Sequence, residues 1–354
     1  MTNLKTIVNP TTQSRLKEVD FESLPFGKIF SDHMFVIDYA DGKWQQGYIM
    51  PYGDMPLSPA TSALHYGQAI FEGMKCNRDI KSGDVLVFRP EQNALRFNIS
   101  AARMGMPSIP VDIYLQGLYD LISTDRDWIP TREGYALYMR PFMFATDPMI
   151  GVRPSDTYRF MIITCPVGPY YAQPLKVLVA DKYVRAFPGG TGSSKAAGNY
   201  AASMYPTVLA KKAGYDQVLW TDGMTHEYLE EIGTMNVFFV INNKAYTPSL
   251  DGTILNGITR DSIIQLLRHK GVEVIEKHIN IHEIFEAHQN GTLQEAFGAG
   301  TAATITNISA IGYKDQHIEL PPITNKLLSA ELKANMNAIK CGAESDIFNW
   351  LVRI

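Results

Sequence analysis

Cysteine is scarce in this sequence, and long apolar runs are missing from it. The three cysteines, Cys76, Cys165 and Cys341, are far apart and form no Cys-x-x-Cys pair, which argues against a disulfide framework and a zinc site. No run approaches the ~20 apolar residues of a membrane span, and the N-terminus has no apolar stretch of signal-peptide length. These absences predict a cytoplasmic protein with no membrane partner and no metal site.

A strong charge imbalance is missing as well. The formal net charge is −4, and the lysines and arginines are scattered along the chain. A protein that binds nucleic acid or an anionic membrane usually concentrates positive charge on one face. The sequence therefore predicts no nucleic-acid partner and favours small molecules as ligands.

The length of the chain predicts two domains. The chain has 354 residues, of which 45% are hydrophobic and 19% charged, as in ordinary globular proteins. At ~100 to 200 residues per domain, this length corresponds to two domains. We predict a small N-terminal α+β domain at 1–170, an interdomain linker at 171–182 and a larger C-terminal domain at 183–354.

Hydrophobic periodicity predicts the elements of an α/β fold. Asp41-Gly42, between two alternating apolar runs within 33–50, is the strongest short hairpin signal that a sequence offers. The rest of the first half predicts one helix, at 91–104, and strands at 85–89, 135–144 and 158–167. The second half predicts helices at 199–213, 259–270 and 325–341, and strands at 216–220, 235–241, 272–275 and 303–311.

A lysine among glycines and small residues is the most informative feature. Lys195 lies in FPGGTGSSKAAGNY, at 187–200, where small neighbours let a bulky ring approach the backbone. An amine that forms a Schiff base must be partly neutral near physiological pH, and desolvation or nearby cations lower a lysine pKa enough to allow this. Spacing excludes a P-loop and a Ser-x-x-Lys acyltransferase, because Ser194, Ala196 and Gly192 stand where those motifs need other residues. A solvated lysine on a glycine-rich loop is the alternative.

Two glycine-containing segments are suited to holding an anion. GAGTAAT, at 298–304, fits a loose dinucleotide fingerprint, but such a fingerprint must open a helix, and the following ITNISAIGY reads as a strand. Its N–H groups could instead hold a phosphate or carboxylate, although a tight turn without a ligand would look the same. LNGITR, at 255–260, precedes an amphipathic helix whose first N–H groups attract anions.

For two groups of polar side chains, the sequence pattern allows more than one role. YLEEIGTMN, at 228–236, puts adjacent carboxylates before an apolar strand, where one could pair with a pyridinium nitrogen. The pattern does not choose between Glu230 and Glu231, and two solvated acids would give the same pattern. Tyr138 and Arg140 share one face of a strand, which suits either gripping a carboxylate or a structural cross-strand pair.

Taken in order, these and neighbouring segments resemble the branched-chain aminotransferases of the fold-type-IV pyridoxal-phosphate enzymes. The resemblance runs from about residue 30 to 312 and rests on ALHYGQAIFEGMK, FRPEQNALRFN, YMRP, CPVGPYY, GTGSSKAAGNY, QVLW, EEIGTMN, LNGITR and GAGTAA. It implies a two-domain fold like that of D-amino-acid aminotransferase, with pyridoxal 5′-phosphate bound between the domains. It also implies transfer of the amino group of L-leucine, L-isoleucine or L-valine to 2-oxoglutarate, and the reverse, by a ping-pong mechanism.

The resemblance assigns cofactor roles to individual residues. Lys195 resembles the Schiff-base lysine. Tyr200 resembles the phenol that hydrogen-bonds the cofactor's ring oxygen, and Glu231 resembles the acid that pairs with the pyridinium nitrogen. A phosphate cup is implied at Arg96, the N–H groups of Ile258 and Thr259, and the hydroxyl of Thr301. Further cofactor contacts are implied at Thr234, Asn236, Leu255 and Gly257.

The resemblance also implies a substrate pocket and a partner. The pocket positions are Tyr66, Phe71, Tyr138, Arg140 and Tyr170, with the backbone at Thr301 and Ala302 receiving the α-carboxylate. Arg140 offers a bidentate grip on the distal carboxylate of glutamate. In the family the neighbouring subunit completes the active site, so a homodimer is implied.

Related activities remain as alternatives at this point. A D-amino-acid aminotransferase or an aminodeoxychorismate lyase of the same fold would share the lysine and the acid. Where mammalian family members carry a redox-sensitive Cys-x-x-Cys after the phosphate loop, this chain has Ala303 and Thr306. Thiol switching of that kind is therefore not expected.

Overall fold

The structure is a computed structural model that describes residues 5–169 and 173–354. Its contacts divide the chain into two compact units. Unit 1 comprises Met1–Tyr170, Lys195–Gly198 and Asn337–Ile354, and unit 2 comprises Tyr171–Ser194 and Asn199–Met336. Two segments that the sequence-based division assigned to the second domain, 195–198 and 337–354, thus belong to unit 1.

Unit 1 is built on a ten-stranded sheet. Its strands are β1 (Ile7–Val8), β2 (His33–Ala40), β3 (Lys43–Trp44), β4 (Tyr48–Pro51), β5 (Ala69–Phe71), β6 (Met74–Arg78), β7 (Val85–Phe88), β8 (Ala136–Ala145), β9 (Tyr158–Val167) and a C-terminal strand, Leu351–Arg353. The order is β1-β4-β2-β9-β8-β6-β7-C-terminal strand, with β3 beside β2 and β5 beside β8. Its helices are α1 (Ser62–Tyr66), α2 (Pro90–Arg103) and α3 (Val111–Thr124).

The hairpin predicted near residue 41 is confirmed. Tyr39 pairs with Trp44 and Ala40 with Lys43, which leaves Asp41 and Gly42 as a two-residue loop. Both loop residues have positive φ, 53° and 72°, as a type I′ turn requires.

The helix α3 was not predicted. Its sequence, VDIYLQGLYDLIST, contains β-branched and aromatic residues and a glycine, which weaken helix propensity. The buried residues nevertheless repeat at helical spacing. Packing explains the glycine, because a Cβ at Gly117 would lie 2.6 Å from the ring of Phe35.

Unit 2 contains a second ten-stranded sheet. Its strands are β10 (Leu175–Val179), β11 (Gln217–Thr221), β12 (Tyr228–Ile232), β13 (Met235–Ile241), β14 (Lys244–Pro248), β15 (Val274–Lys277), β16 (Ile279–Asn280), β17 (Leu293–Gly300), β18 (Thr304–Tyr313) and β19 (Gln316–Glu319). Its helices are α4 (Ala197–Lys212), α5 (Ile258–His269), α6 (Ile281–Gln289) and α7 (Leu328–Lys340), of which α4 begins and α7 ends in residues that cluster with unit 1.

The sheet of unit 2 closes on itself. Its order is β15-β14-β13-β17-β18-β10-β11-β12-β16, and β12 also pairs with β13. The strands from β13 through β17, β18, β10 and β11 to β12 therefore form a ring, whose apolar side chains build the core of this unit. The central strand β10 lies within the segment 171–182 that the sequence suggested as a linker.

None of the helices within residues 5–169 and 173–354 is long and apolar enough to cross a membrane.

Candidate active site

Lys195 is held by its backbone within unit 1. Its N–H donates to the hydroxyl of Ser100, on α2, at 2.9 Å. Its carbonyl accepts from the N–H of Phe71, at the end of β5, at 3.1 Å, and Ala196 forms a β-bridge with Ile70. The lysine Nζ lies 4.9 Å from the centroid of the Phe71 ring. These backbone contacts fix the position of the Lys195 main chain, so the amine changes position through rotation about side-chain bonds.

Three of the predicted substrate residues meet in unit 1. Tyr138 and Arg140 lie on one face of β8, and the Arg140 Nη2 donates to the Tyr138 hydroxyl at 2.8 Å. The Arg140 guanidinium also lies 4.6 Å from the ring centroid of Phe71. The Tyr138 ring has room only because residue 73 is glycine, since a Cβ there would lie 2.2 Å from the phenol oxygen.

For the other two predicted pocket tyrosines, Tyr66 and Tyr170, a role in substrate binding stays a prediction. Tyr66 ends the short helix α1, and 40% of its surface is exposed. Tyr170 lies outside the described residues.

Arg96, predicted for the phosphate cup, is engaged in a buried ion pair in unit 1. Its Nε and Nη2 donate to the two oxygens of Glu72, at 2.7 and 2.8 Å. The Glu72 side chain is fully buried and the Arg96 side chain is 10% exposed. Two nitrogens of the guanidinium are therefore committed to a residue that the sequence analysis did not single out, and the role of Arg96 at a phosphate stays a prediction.

A pocket in unit 2 brings together four of the predicted cofactor residues. These are Tyr200, Glu231, Thr234 and Leu255. The remaining lining residues are Arg185, Gly192, Ser194, Asn199, Ser203 and Gly233. Of the two adjacent acids, Glu231 is among the described residues that line this pocket, and its role at a cofactor stays a prediction.

Glu231 is a buried carboxylate with a cation beside it. One of its oxygens accepts the N–H of Leu255 at 2.8 Å, and the other lies 3.3 Å from the Nε of Arg185. Arg185 also donates to the carbonyls of Gly192 and Thr253. The side chains of Arg185 and Glu231 are only 7% and 5% exposed. Sequence reasoning missed Arg185, because nothing in the residues around it indicates a partner 46 positions away.

Asn236 and Gly257 shape the approach to helix α5. The Asn236 side chain donates to the carbonyl of Leu255 at 2.9 Å, and a Cβ at residue 257 would lie 2.0 Å from the Asn236 Oδ1. A side chain at residue 257 would therefore displace the Asn236 amide from this N-cap, from which Ile258 and Thr259 begin the helix. Their N–H groups lie at the positive end of its macrodipole, where an anion is stabilised.

Thr301 and Ala302 lie in a hairpin turn. Strand β17 ends at Gly300 and β18 begins at Thr304, with these two residues paired. The glycine-rich segment thus leads into a strand, as predicted, and does not open the helix that a dinucleotide fingerprint needs.

Asn199 fastens the loop that precedes Lys195. Its Oδ1 accepts from the Thr191 hydroxyl at 2.6 Å, and its Nδ2 donates to the carbonyls of Thr191 and Ser194 at 2.7 and 2.8 Å. The side chain is buried. Its position four residues after the lysine was the only sequence signal for this role, and that signal is too general to identify a loop clamp.

Comparisons with known proteins identify the family. Residues 69–311 match the model of the amino-transferase class IV family, so the chain belongs to it. The branched-chain-amino-acid aminotransferase 2 of Bacillus subtilis (strain 168) is 43% identical, over 99% of this chain and 97% of its own length.

Solved structures confirm the predicted fold class. The branched-chain amino acid aminotransferase from Escherichia coli is similar with a TM-score of 0.73 and 25% identity, over 91% of this chain and 98% of that one. The enzyme of that name from Thermobaculum terrenum, in its PLP form, gives a TM-score of 0.73 at 23% identity, over the same shares of the two chains.

Proposed function

We propose that this chain is a transaminase that moves the amino group of L-leucine, L-isoleucine or L-valine to 2-oxoglutarate and back, with pyridoxal 5′-phosphate as cofactor. The similarity to a branched-chain-amino-acid aminotransferase over 99% of the chain carries this conclusion. It favours this activity over the D-amino-acid aminotransferase and aminodeoxychorismate lyase alternatives. Amino acids and keto acids are accordingly its substrates.

The residues of unit 2 fit the cofactor chemically. The pocket contains a phenol, that of Tyr200, and the buried carboxylate of Glu231. Among the described residues, the Arg185 Nε beside that carboxylate has no hydrogen-bond partner, which marks a polar site that the protein leaves incomplete. Glu231 would accept the ring N–H, and the first N–H groups of α5 would hold the phosphate.

Each residue has a separate task in the proposed chemistry. When bound, pyridoxal phosphate supplies an electron sink for charge that develops at the substrate α-carbon. Lys195 Nζ is the attachment atom for the cofactor, and as a free amine it takes the proton from the α-carbon. Glu231 keeps the ring nitrogen protonated, because a buried anion favours the charged form of a neighbouring base.

The group of Phe71, Tyr138 and Arg140 suits both kinds of substrate. The aromatic faces offer apolar surface to a branched side chain. The guanidinium of Arg140, held over Phe71 and bonded to Tyr138, would pair with the distal carboxylate of glutamate. We propose that one pocket thereby accepts both partners of the exchange. Tyr66, Tyr170, Thr301 and Ala302 remain proposed contributors.

A spectral and product assay tests the proposed activity. The purified protein, loaded with pyridoxal phosphate, is expected to change its visible spectrum on addition of L-leucine and to produce glutamate when 2-oxoglutarate follows. Parallel samples receive D-alanine and aminodeoxychorismate, and neither should be converted at a comparable rate. No spectral change with any of the three branched-chain amino acids would refute the proposal, and faster conversion of D-alanine would move it to the sister activity.

We further propose that the protein is a cytoplasmic homodimer. Unit 1 exposes several large apolar side chains, and such side chains often belong to an interface where they form a contiguous patch. Leu95 and Ile99, 43% and 65% exposed, lie four residues apart and hence on one face of α2, and Ile150 and Val152, on the segment after β8, are 71% and 90% exposed. The scattered cysteines fit the reducing cytoplasm.

The expected mass in solution is twice that of the 39.6 kDa chain. Light scattering after size-exclusion chromatography measures it. Ile99→Glu should shift the protein towards the monomer, because it places a charge in an apolar interface. Thr131→Glu, at an exposed position of the same unit, is the control and should not. A monomeric unmodified chain would contradict the dimer.

A further inference from the structure

A β-bulge puts two adjacent acids of unit 2 into one buried cluster. Between β11 and β12, Leu219 pairs with Ile232 and Thr221 with Leu229. Trp220 therefore lies opposite both Glu230 and Glu231. Successive side chains of a regular strand point to opposite faces, whereas a bulge inserts a residue and redirects a side chain. Both acids are buried, at 3% and 4% exposure.

The cluster holds more negative than positive groups. The groups that face Glu230 are Thr253, Arg185, Glu231 and Asp251, and Arg185 is the cation among them in the described part of the chain. Its Nε is 3.3 Å from Glu231. One guanidinium cannot balance two buried carboxylates at low cost, so one carboxyl is favoured in its neutral form.

The partners of the two acids indicate which of the carboxyls carries the proton. The Thr253 hydroxyl donates to Asp251 at 2.6 Å, and among the described residues the Oε2 of Glu230 has no hydrogen-bond partner. Glu231 has the Leu255 N–H and Arg185 beside it, so the ionised form is better supported at Glu231 and the neutral form at Glu230. Burial raises the pKa of Glu230 to about 7, against the opposing effects of the Thr253 hydroxyl and Arg185, and the charges of Glu231 and Asp251 add to the increase. Below neutral pH, the Glu230 carboxyl is therefore mostly protonated.

We propose that Glu230 is a positioning residue that is protonated in the cofactor-free protein and ionises when a protonated pyridine nitrogen pairs with Glu231. The pyridinium and Arg185 together then place two positive charges beside the two adjacent carboxylates of Glu230 and Glu231. The proton of Glu230 leaves to solvent, and no other bond changes. Ionised Glu230 allows Glu231 to serve the ring nitrogen without depriving Arg185 of a counter-charge. This inference rests on the proposed cofactor function.

The affinity for pyridoxamine 5′-phosphate, measured from pH about 5.5 to about 8, tests this role. This probe has no aldehyde and therefore does not bond covalently to Lys195. Binding favours ionised Glu230, so affinity should increase as pH rises through the pKa of the cofactor-free carboxyl. Glu230→Gln resembles protonated glutamate, so it should match the unmodified protein near pH 5.5 and bind about tenfold or more weakly near pH 8. Glu286→Gln, at an exposed acid of the same unit, is the control.

Infrared difference spectra provide a second readout that needs no turnover. Adding the probe to the cofactor-free protein at pH about 6 should remove the band of one protonated carboxyl group, and this loss should be absent in Glu230→Gln. Equal binding by variant and unmodified protein at both pH values, with the band unchanged, would overturn the inference while leaving the transaminase assay intact. A chain that binds no pyridoxamine phosphate at any pH would instead refute the proposed function. Matching affinity near pH 5.5 also shows that the variant is folded.

Discussion

Replacing Lys195 with alanine should lower the rate of amino transfer by about 10⁴-fold or more, because one amine serves both as the cofactor's attachment atom and as the base at the α-carbon. Its backbone is fixed by Ser100 and Phe71, and the substitution touches neither bond. The fold should therefore survive. Steady-state glutamate production and the visible spectrum of the bound cofactor measure the two losses separately.

A control lysine and an added amine make this prediction specific. Lys182 is exposed on the segment after β10, and Lys182→Ala should retain the activity of the unmodified protein. A small primary amine in the buffer should partly restore proton transfer in Lys195→Ala, because it replaces the missing base but not the attachment. Normal turnover in Lys195→Ala would rule out its proposed role.

Local signals in the sequence predicted the elements whose geometry depends on a few adjacent residues. Asp41-Gly42 specified its hairpin because a type I′ turn needs positive φ at both positions. The strand after the glycine-rich segment at 298–304 was predicted from its β-branched residues. Helix α3 was missed because its glycine is explained only by a phenylalanine far away in the chain, Phe35. The strand β10 fell in a predicted linker for a similar reason, since its pairing partners β11 and β18 lie far along the chain.

The candidate site shows the same limit. Family resemblance predicted Lys195, Tyr200 and Glu231, and the structure gathers Tyr200 and Glu231 in one pocket of unit 2. The ion-pair partners of Arg96 and Glu231 were not predicted, because each pair joins residues that are far apart in the sequence. Glu72 is 24 residues from Arg96, and Arg185 is 46 residues from Glu231. Such residues are identified by distances between atoms and by burial, and single-sequence patterns contain neither quantity.

Removing the charge of Glu72 should have the largest effect on stability. Glu72→Gln leaves the buried guanidinium of Arg96 without its anion, and breaking a buried pair in this way costs roughly 3 to 5 kcal/mol. The bond geometry is bidentate and the glutamate is fully buried, which places the pair in that class. Urea unfolding of the full chain, followed by tryptophan emission, should show a lower midpoint with a similar slope.

An exposed pair of the same geometry is the matched control. Arg159 binds Asp38 through Nε and Nη2 at 2.7 and 2.9 Å, also in unit 1, but the two side chains are 28% and 45% exposed. Asp38→Asn should therefore cost no more than about 1 kcal/mol. Equal losses for the two variants would mean that burial does not determine the strength of the Glu72–Arg96 pair.

A double replacement separates the structural role of Arg96 from its proposed role at the phosphate. Glu72→Leu combined with Arg96→Met removes both charges, and replacing a buried ion pair by apolar side chains is often neutral or stabilising. The double variant should therefore recover most of the stability that Glu72→Gln loses, yet bind pyridoxamine phosphate more weakly if Arg96 serves the phosphate. A stable double variant with unchanged affinity would leave Arg96 as a structural partner of Glu72 and assign phosphate binding to the N-terminus of α5 and the turn at Thr301.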